Sequence, residues 1–448
     1  MPENLFGTDG IRGIANEEPL TPETLVKIGK AIAVFFMEKN GGLRKKIVIG
    51  KDTRLSGYML ETALTSGIVS MGVDVLLVGP MPTPAIAHLT KSLNADAGIV
   101  LSASHNPAQD NGVKIFGSNG LKISEKNEKE IEALVGNNSF KNSSSIGKAY
   151  RIDDARGRYI EFVKASISSS SLKGLHVVVD CANGASYSMA KRIFQELGLS
   201  VLCINDKPDG ENINKECGAL FPQAMQKTVQ KTNADAGIAF DGDADRVVFC
   251  DEKGELVFGE QIMGIFALDL KNSGKLKNNS IVATRISNNG FFEAMKKNGI
   301  KVIECDVGDK NVIETMLAQG AVFGAEPSGH IIFSDCSTTG DGLIAALNLL
   351  LVMKKSGQKL SELKKIVNLY PQSQVNVKVR EKKPFDSLKK TSLEIKNAEK
   401  ILTGNGRLIV RYSGTEKKAR VMVEAKGQKT ADTLAQKIAK SIQEEIGE

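Results

Sequence analysis

The chain has 448 residues, 41% apolar and 25% charged, with no tryptophan and a formal net charge of +7. At roughly 100–200 residues per domain, that length calls for about three or four domains and excludes a single core. Lysines are spread along the chain, no nucleic-acid-binding motif is present and there are few aromatics to stack bases, so no nucleic-acid partner is expected; the mild positive balance suits an anionic small molecule, but ordinary solubility is the better account of charge alone. The longest apolar run, Leu343 to Met353, is interrupted by Asn348 and falls short of the roughly 20 residues of a membrane span. Glu3 and Gly7-Thr8-Asp9 stand where a secretion signal needs an apolar core, so none is expected. Six cysteines (181, 203, 217, 250, 305, 336) show no CxxC spacing and read as reduced thiols of a cytoplasmic protein.

In chain order, Phe6-Gly7-Thr8-Asp9-Gly10-Ile11-Arg12-Gly13 comes first. Its glycines mark a backbone that turns tightly or approaches a ligand, with Arg12 a candidate for reaching a phosphate. A surface turn explains the same run equally well. Thr21 then caps a helix opened by Pro22, with apolar residues at 25, 28, 31, 32 and 35. Ile47–Gly50 reads as a strand, followed by a polar loop, a helix, Gly72 and the strand Val73–Val78. The same rhythm returns twice. Val177–Asp180 leads through Cys181–Gly184 into a helix to Leu197, and on to the strand Ser200–Ile204. Ile281–Thr284 leads through a helix to Lys297, and on to Lys301–Glu304. Strand, loop, helix, glycine cap, strand is a βαβ unit.

A second repeat supports the first. Asn94-Ala95-Asp96-Ala97-Gly98-Ile99 recurs as Asn233-Ala234-Asp235-Ala236-Gly237-Ile238, with a looser copy at Gln319–Gly324. Each copy runs as a strand into a polar loop. Three related α/β domains with mixed sheets follow, at 1–150, 151–255 and 256–368. After Tyr370-Pro371 the pattern changes. Strands near 373–379, 407–412 and 419–424 and a terminal helix with apolar residues at 431, 434, 435, 438 and 442 predict a smaller α+β domain at 369–448. The four domains are expected to surround a central cleft.

The loops carry the chemistry. The buried strand Ala97–Leu101 delivers Ser102 and Ser104 to a corner stiffened by His105-Asn106-Pro107. A serine held there can act as a nucleophile if a neighbour polarises it. Lys114 follows as a general base or electrostatic stabiliser, or else a surface lysine. In Asp241-Gly242-Asp243-Ala244-Asp245-Arg246, three carboxylates alternate with small residues. Brought together they repel, so a hard cation such as Mg²⁺ is expected; the EF-hand glutamate is missing, which disfavours calcium. Glu326 and Ser328 suit sugar hydroxyls, with His330 beyond. Arg411-Tyr412-Ser413-Gly414-Thr415-Glu416 and Arg420 read as an oxyanion cradle, against a plain hairpin turn with surface arginines. Together these pieces imply phosphoryl transfer on a phosphorylated sugar.

The runs SASHNP with DNGVK, DGDADR, GAEPSGH and RYSGTE, in this order, resemble the four motifs of the α-D-phosphohexomutases. FGTDGIRG, GKDTRLSG, PDGENINKECG and VGDKN are similar, more narrowly, to the bacterial branch acting on glucosamine phosphates. The resemblance covers the whole chain. It implies that Ser104 is the phosphoserine and joins Asp241, Asp243 and Asp245 in holding one Mg²⁺. Arg12, Lys114, Arg246 and His330 would line the reaction centre. Glu326 and Ser328 would hold the sugar, and Arg411, Ser413, Gly414, Thr415 and Arg420 the distal phosphate. Asp309, in VGDKN, is expected to favour an amino sugar. The implied reaction interconverts glucosamine 6-phosphate and glucosamine 1-phosphate through glucosamine 1,6-bisphosphate, feeding UDP-N-acetylglucosamine; the alternative is phosphomannomutase or phosphoglucomutase activity. A homodimer is the expectation for its assembly. Two departures stand out: Tyr412 and Lys417 replace the usual prolines around SGTE, and Ala219-Leu220 replace a Ser-Thr pair.

Overall fold

The computed structural model describes residues 5–7, 9–39, 45–137, 140, 143–168, 170–413 and 416–448. The chain forms two compact units: Met1–Arg285 with Ile300–Lys365, and Ile286–Gly299 with Ile366–Glu448. Among the described residues, no helix is long and apolar enough to cross a membrane.

The first unit holds three sheets. The first is built from β1 (Ile11–Ile14), β2 (Lys46–Lys51), β3 (Asp74–Pro80), β4 (Ala97–Leu101), β5 (Asp110–Gly117) and β6 (Ala149–Arg151), in the order β1-β5-β4-β2-β3-β6. The second comprises β7 (His176–Asp180), β8 (Ser200–Ile204), β9 (Ala236–Phe240), β10 (Val247–Asp251) and β11 (Leu256–Val257), in the order β11-β10-β9-β7-β8. The third comprises β12 (Ser280–Thr284), β13 (Lys301–Cys305), β14 (Phe323–Ala325) and β15 (Ile331–Phe333), in the order β13-β12-β14-β15.

One plan underlies all three. Two parallel strands joined by a helix are flanked by a third parallel strand, which turns back into an antiparallel partner: β4 into β5, β9 into β10, β14 into β15. The repeated sequence at 94–99 and 233–238 enters β4 and β9, and its looser copy enters β14. The serine, aspartate and glutamate loops are therefore the same hairpin in three successive sheets. Strands β4 and β9 are buried throughout, as the central positions of helix-covered sheets require.

The sheet edges depart slightly from the expected divisions. Strand β6 runs to Arg151, and Leu256–Val257 pairs with Phe249–Cys250 inside the second sheet. The helix expected from about residue 184 to Leu197 begins only at Ala190. Ala182 and Asn183 lie in the left-handed region, and Gly184 packs against the Gly242 carbonyl, so 181–189 forms turns.

The second unit is an antiparallel sheet of β16 (Gln372–Lys378), β17 (Gly406–Tyr412) and β18 (Lys418–Ala425), in the order β16-β18-β17. Ala419, Val421, Val423 and Ala425 alternate onto a core with Leu434, Ala435, Ile438 and Ile442 of the helix Gln428–Ile446. The helix Asn289–Lys297, expected with the third α/β domain, belongs to this unit. Its Asn289 N–H donates to the fully buried Glu424 carboxylate at 2.8 Å, and Gly290 abuts the Asn368 carbonyl.

Against the first sheet, the helices Pro22–Lys39 and Ser56–Ser70 cross at a pair of glycines. A Cβ on Gly67 would lie 2.3 Å from the Val26 carbonyl oxygen, and one on Gly29 would lie 2.5 Å from that of Leu64. Gly67→Ala gains about 1 kcal/mol of helix propensity but forces two backbones apart, at a cost of about 1–3 kcal/mol or more. A melting temperature lowered by several degrees is expected by scanning fluorimetry, with kcat nearly unchanged at 25 °C. An unchanged melting temperature would contradict this packing.

Candidate active site

Ser104 sits on the hairpin between β4 and β5 with φ of 51°, in the left-handed region. For a residue with a Cβ that conformation costs about 1–2 kcal/mol, so the surroundings must hold it. The side chain is almost fully buried, and its Oγ donates to Asp241 Oδ2 at 2.7 Å. The neighbouring Ser102 is also buried; its Oγ donates to Asp52 and accepts the Ser104 N–H at 2.9 Å.

Asp241, Asp243 and Asp245 follow β9 and are all buried, with one carboxylate oxygen from each within 4.8 Å of the others. Three anions this close in a dry site need compensation. Lys114 on β5, fully buried, supplies part of it. Its ammonium lies 2.9 Å from Asp243, 3.3 Å from Asp245 and 3.4 Å from Asp9. Against burial, which alone would depress it, these carboxylates hold Lys114 well above the ordinary lysine range. That protonated state suits a stabiliser rather than a base, and the surface reading of Lys114 is overturned. Asp243, despite burial, is held low by Lys114 and by the Thr83 hydroxyl at 2.6 Å. Asp241 goes the other way: burial, then the Asp245 and Asp243 charges, push it well above the carboxylate range.

One lysine does not satisfy the cluster. Asp243 Oδ1 and Asp245 Oδ1 are buried with no hydrogen-bond partner among the described residues, and Arg246 Nε is 3.9 Å from Asp245. Oxygen-only donors, clustered and with orphaned lone pairs, fit a hard divalent cation.

The other expected residues of the first unit gather around this point. Arg12, on β1, pairs with Asp9. Arg246 donates its backbone N–H to Asp241 at 3.2 Å and its guanidinium to His105 Nδ1 at 3.2 Å. The aspartate loop meets the glutamate loop backbone to backbone: Val247 N–H donates to the Gly329 carbonyl, and Arg246 bridges His330. His330 is buried, with its Nε2 accepting the Gly340 N–H at 3.1 Å and lying 3.7 Å from Asp309. Glu326 accepts the Gly308 N–H at 2.9 Å, while Ser328 is exposed. Asp309 opens the helix Asp309–Gln319 and is paired with Lys122, which also reaches Asp9 at 2.6 Å. Lys122 therefore already compensates the charge expected to select an amino sugar. An alternating chain runs Asp309, Lys122, Asp9, Lys114, Asp243. Against burial, the Lys114, Lys122 and Arg12 charges hold Asp9 far below the carboxylate range.

In the second unit, Arg411 and Arg420 face each other in register on β17 and β18. Like charges directly opposite repel, so the pair is suited to an anion. Ser413 is buried; Gly414 and Thr415 lie outside the described residues. Tyr412, in place of a proline, stacks on Phe385 at 4.4 Å and donates to the Lys383 carbonyl at 2.6 Å, which stiffens the entry to the loop by other means.

Sequence reasoning quoted the runs holding Asp9, Asp52, Arg54 and Asn214 but gave these residues no role, and it passed over Thr83 and Lys122. Their partners are 50 or more positions away, except for those of Asp9 and Arg54 nearby, so no local spacing signals them.

Four models of one family match in order. They are the phosphoglucomutase/phosphomannomutase alpha/beta/alpha domains I (3–142), II (157–254) and III (258–370), and the C-terminal domain (375–441). A phosphoglucosamine mutase of Geobacter sp. (strain M21) is 48% identical over 450 residues, covering 99% of each chain. Another, from Bdellovibrio bacteriovorus, is 50% identical over 99% of this chain and 98% of its own. Among solved structures, a phosphoglucomutase/phosphomannomutase family protein from Burkholderia thailandensis superposes with a TM-score of 0.80 at 22% identity, covering 98% of this chain and 97% of that one. With all four domain models matched and full-length relatives near half identity, the chain belongs to the phosphoglucomutase/phosphomannomutase family, among its phosphoglucosamine mutases, and is an isomerase of the mutase type.

Proposed function

We propose that the chain interconverts glucosamine 6-phosphate and glucosamine 1-phosphate, with Ser104 as the phosphoryl carrier. The observation that carries this reading is Ser104 Oγ, fixed on a left-handed corner and bonded to one member of a buried aspartate triad whose other oxygens lack partners. The ion assigned to the triad and Ser104 is Mg²⁺, which when bound would neutralise charge on the transferring phosphoryl group. Phosphoryl transfer asks a protein for charge neutralisation and alignment more than for covalent help. Lys114, held as an ammonium beside Asp243, and the Arg12 and Arg246 guanidiniums supply positive charge on this chain's side.

In the forward half-reaction, the bond from phosphorus to Ser104 Oγ breaks and one to the free sugar hydroxyl forms, the proton lost by that hydroxyl ending on Oγ, giving glucosamine 1,6-bisphosphate. Return of the other phosphate to Ser104 releases the isomer. Glu326 and Ser328 are assigned to the sugar hydroxyls, and Arg411, Ser413, Gly414, Thr415 and Arg420 to the distal phosphate. The product would feed UDP-N-acetylglucosamine. The Lys122–Asp309 pair keeps the neutral-sugar reading, phosphomannomutase or phosphoglucomutase, as the rival, since a carboxylate shared with lysine attracts a substrate ammonium less.

Ser104→Ala is expected to lower kcat by about 10³-fold or more while sugar-phosphate affinity stays within a few-fold. Mass spectrometry of the wild type should find one phosphate, on Ser104; substantial turnover by the variant would refute the carrier assignment.

Comparing kcat/KM for glucosamine, glucose and mannose 6-phosphates decides the sugar. Asp309→Asn should cut the preference for glucosamine by about tenfold, a charge-assisted contact being worth roughly that much. A wild-type preference for neutral sugars would favour the rival.

A Cβ on Gly242 would lie 2.6 Å from the Ser104 carbonyl oxygen, 2.8 Å from the pinned Asn214 amide and 2.8 Å from Ile213 Cδ1, and the first two cannot yield easily. Gly242→Ala should therefore shift Ser104 from the triad and lower kcat by about 10²-fold, as misplacement of a reacting group by 1 Å does.

A further inference from the structure

We infer that Asn214 and Arg54 are positioning residues that hold the Ser104 backbone so that its Oγ faces the aspartate triad; the inference rests on Ser104 being the phosphoryl carrier. Arg54 is fully buried, and its Nε donates to Asp52 at 2.9 Å. Its remaining donors all go to one loop: Nη2 to the carbonyls of Ser104 at 3.0 Å and Asn106 at 2.9 Å, and Nη1 to that of Pro107. A buried ion pair is poor evidence of stabilisation, because desolvation offsets much of the attraction. What this pair does is aim a rigid fork of N–H groups at the serine corner.

Asn214 arrives from the second sheet's domain, 110 positions along the chain. Its Nδ2 donates to the carbonyls of Ser104 at 2.9 Å and Asn106 at 3.1 Å, while its own N–H is tied to the Ala182 carbonyl at 2.9 Å. The Asp52 carboxylate completes the device through Ser102, whose Oγ accepts the Ser104 N–H. Both backbone polar groups of Ser104 are thus held by side chains, and the left-handed corner leaves Oγ directed at Asp241. The Asn214 amide also touches the position where Gly242 would carry a Cβ, so one side chain references the serine to the aspartate loop.

Asn214 itself has φ of 58°, so glycine is tolerated there without backbone strain. Asn214→Gly removes the amide, and Asn214→Asp keeps the volume but loses the donors. The full-length variants are loaded with phosphate from glucose 1,6-bisphosphate in excess Mg²⁺. Transfer from Ser104 to glucosamine 6-phosphate is then followed by quench and intact mass. Both variants are expected to load and to keep KM within about twofold, while kcat and the single-turnover transfer rate fall together by about 10- to 100-fold. A kcat within twofold of wild type in either folded variant overturns the inference. So does a loss of activity explained by less folded protein, read from the melting curve. A wild type without mutase activity, or an active Ser104→Ala enzyme, would instead bring down the functional reading. An active wild type and inactive Ser104→Ala beside a fully active Asn214→Gly would bring down this inference alone.

Discussion

Three carboxylates packed into a water-poor pocket are the condition that the rest of the first unit answers. Asp241, Asp243 and Asp245 share space that no anion cluster would choose, and one buried ammonium, Lys114, offsets part of their repulsion. The remainder is left as two carboxylate oxygens without partners and an aspartate pushed toward its protonated form. Such a site is costly until a cation arrives, and the geometry of its surroundings makes sense as preparation for one. Strand β5 brings the lysine from the first sheet, Thr83 donates from the helix beside it, and the serine corner closes over Asp241. Charge balance and the placement of Ser104 are thus settled by the same contacts.

That balance spreads outward through alternating signs. Lys114 is shared with Asp9, Asp9 with Lys122, and Lys122 with Asp309 beside His330. A change of charge at Asp309 is therefore felt at the aspartate triad through side chains in direct contact. The field of Asp309, at the start of the helix Asp309–Gln319, is thus set jointly with Lys122.

Much of this was legible in the sequence, and what was not has identifiable causes. Buried parallel strands with short turn signals gave away β4 and β9, and the internal repeat at 94–99 and 233–238 pointed to the shared plan before any sheet was seen. The spacing of Asp241, Asp243 and Asp245 needed no tertiary information, because three acids on one tight loop cannot avoid each other. The helix at Asn289–Lys297 falls within the third domain model, at 258–370, yet packs with the second compact unit: its periodicity reports that it buries a face, but not against which sheet. The turns at 185–189 were read as the start of the helix because the close packing of Gly184 on the Gly242 carbonyl, which helps to set them, lies 58 positions away and leaves no local mark. Arg54 and Asn214 were invisible for a further reason. Their targets are main-chain carbonyls, which every residue possesses, so residue type alone says nothing of the partner.

The hairpin origin of all three chemical loops has a consequence for how they tolerate change. Lys114 stands opposite Val100 in the antiparallel ladder, and alternate residues of a strand look to opposite sides. Gain or loss of a single residue between Leu101 and Asp110 would, if absorbed by sliding β5 one step, turn the ammonium toward the far layer of helices and bring an aliphatic chain up against the acids. Within the serine corner, swaps of identity are thus tolerated more readily than a change of length that slides the ladder by one step.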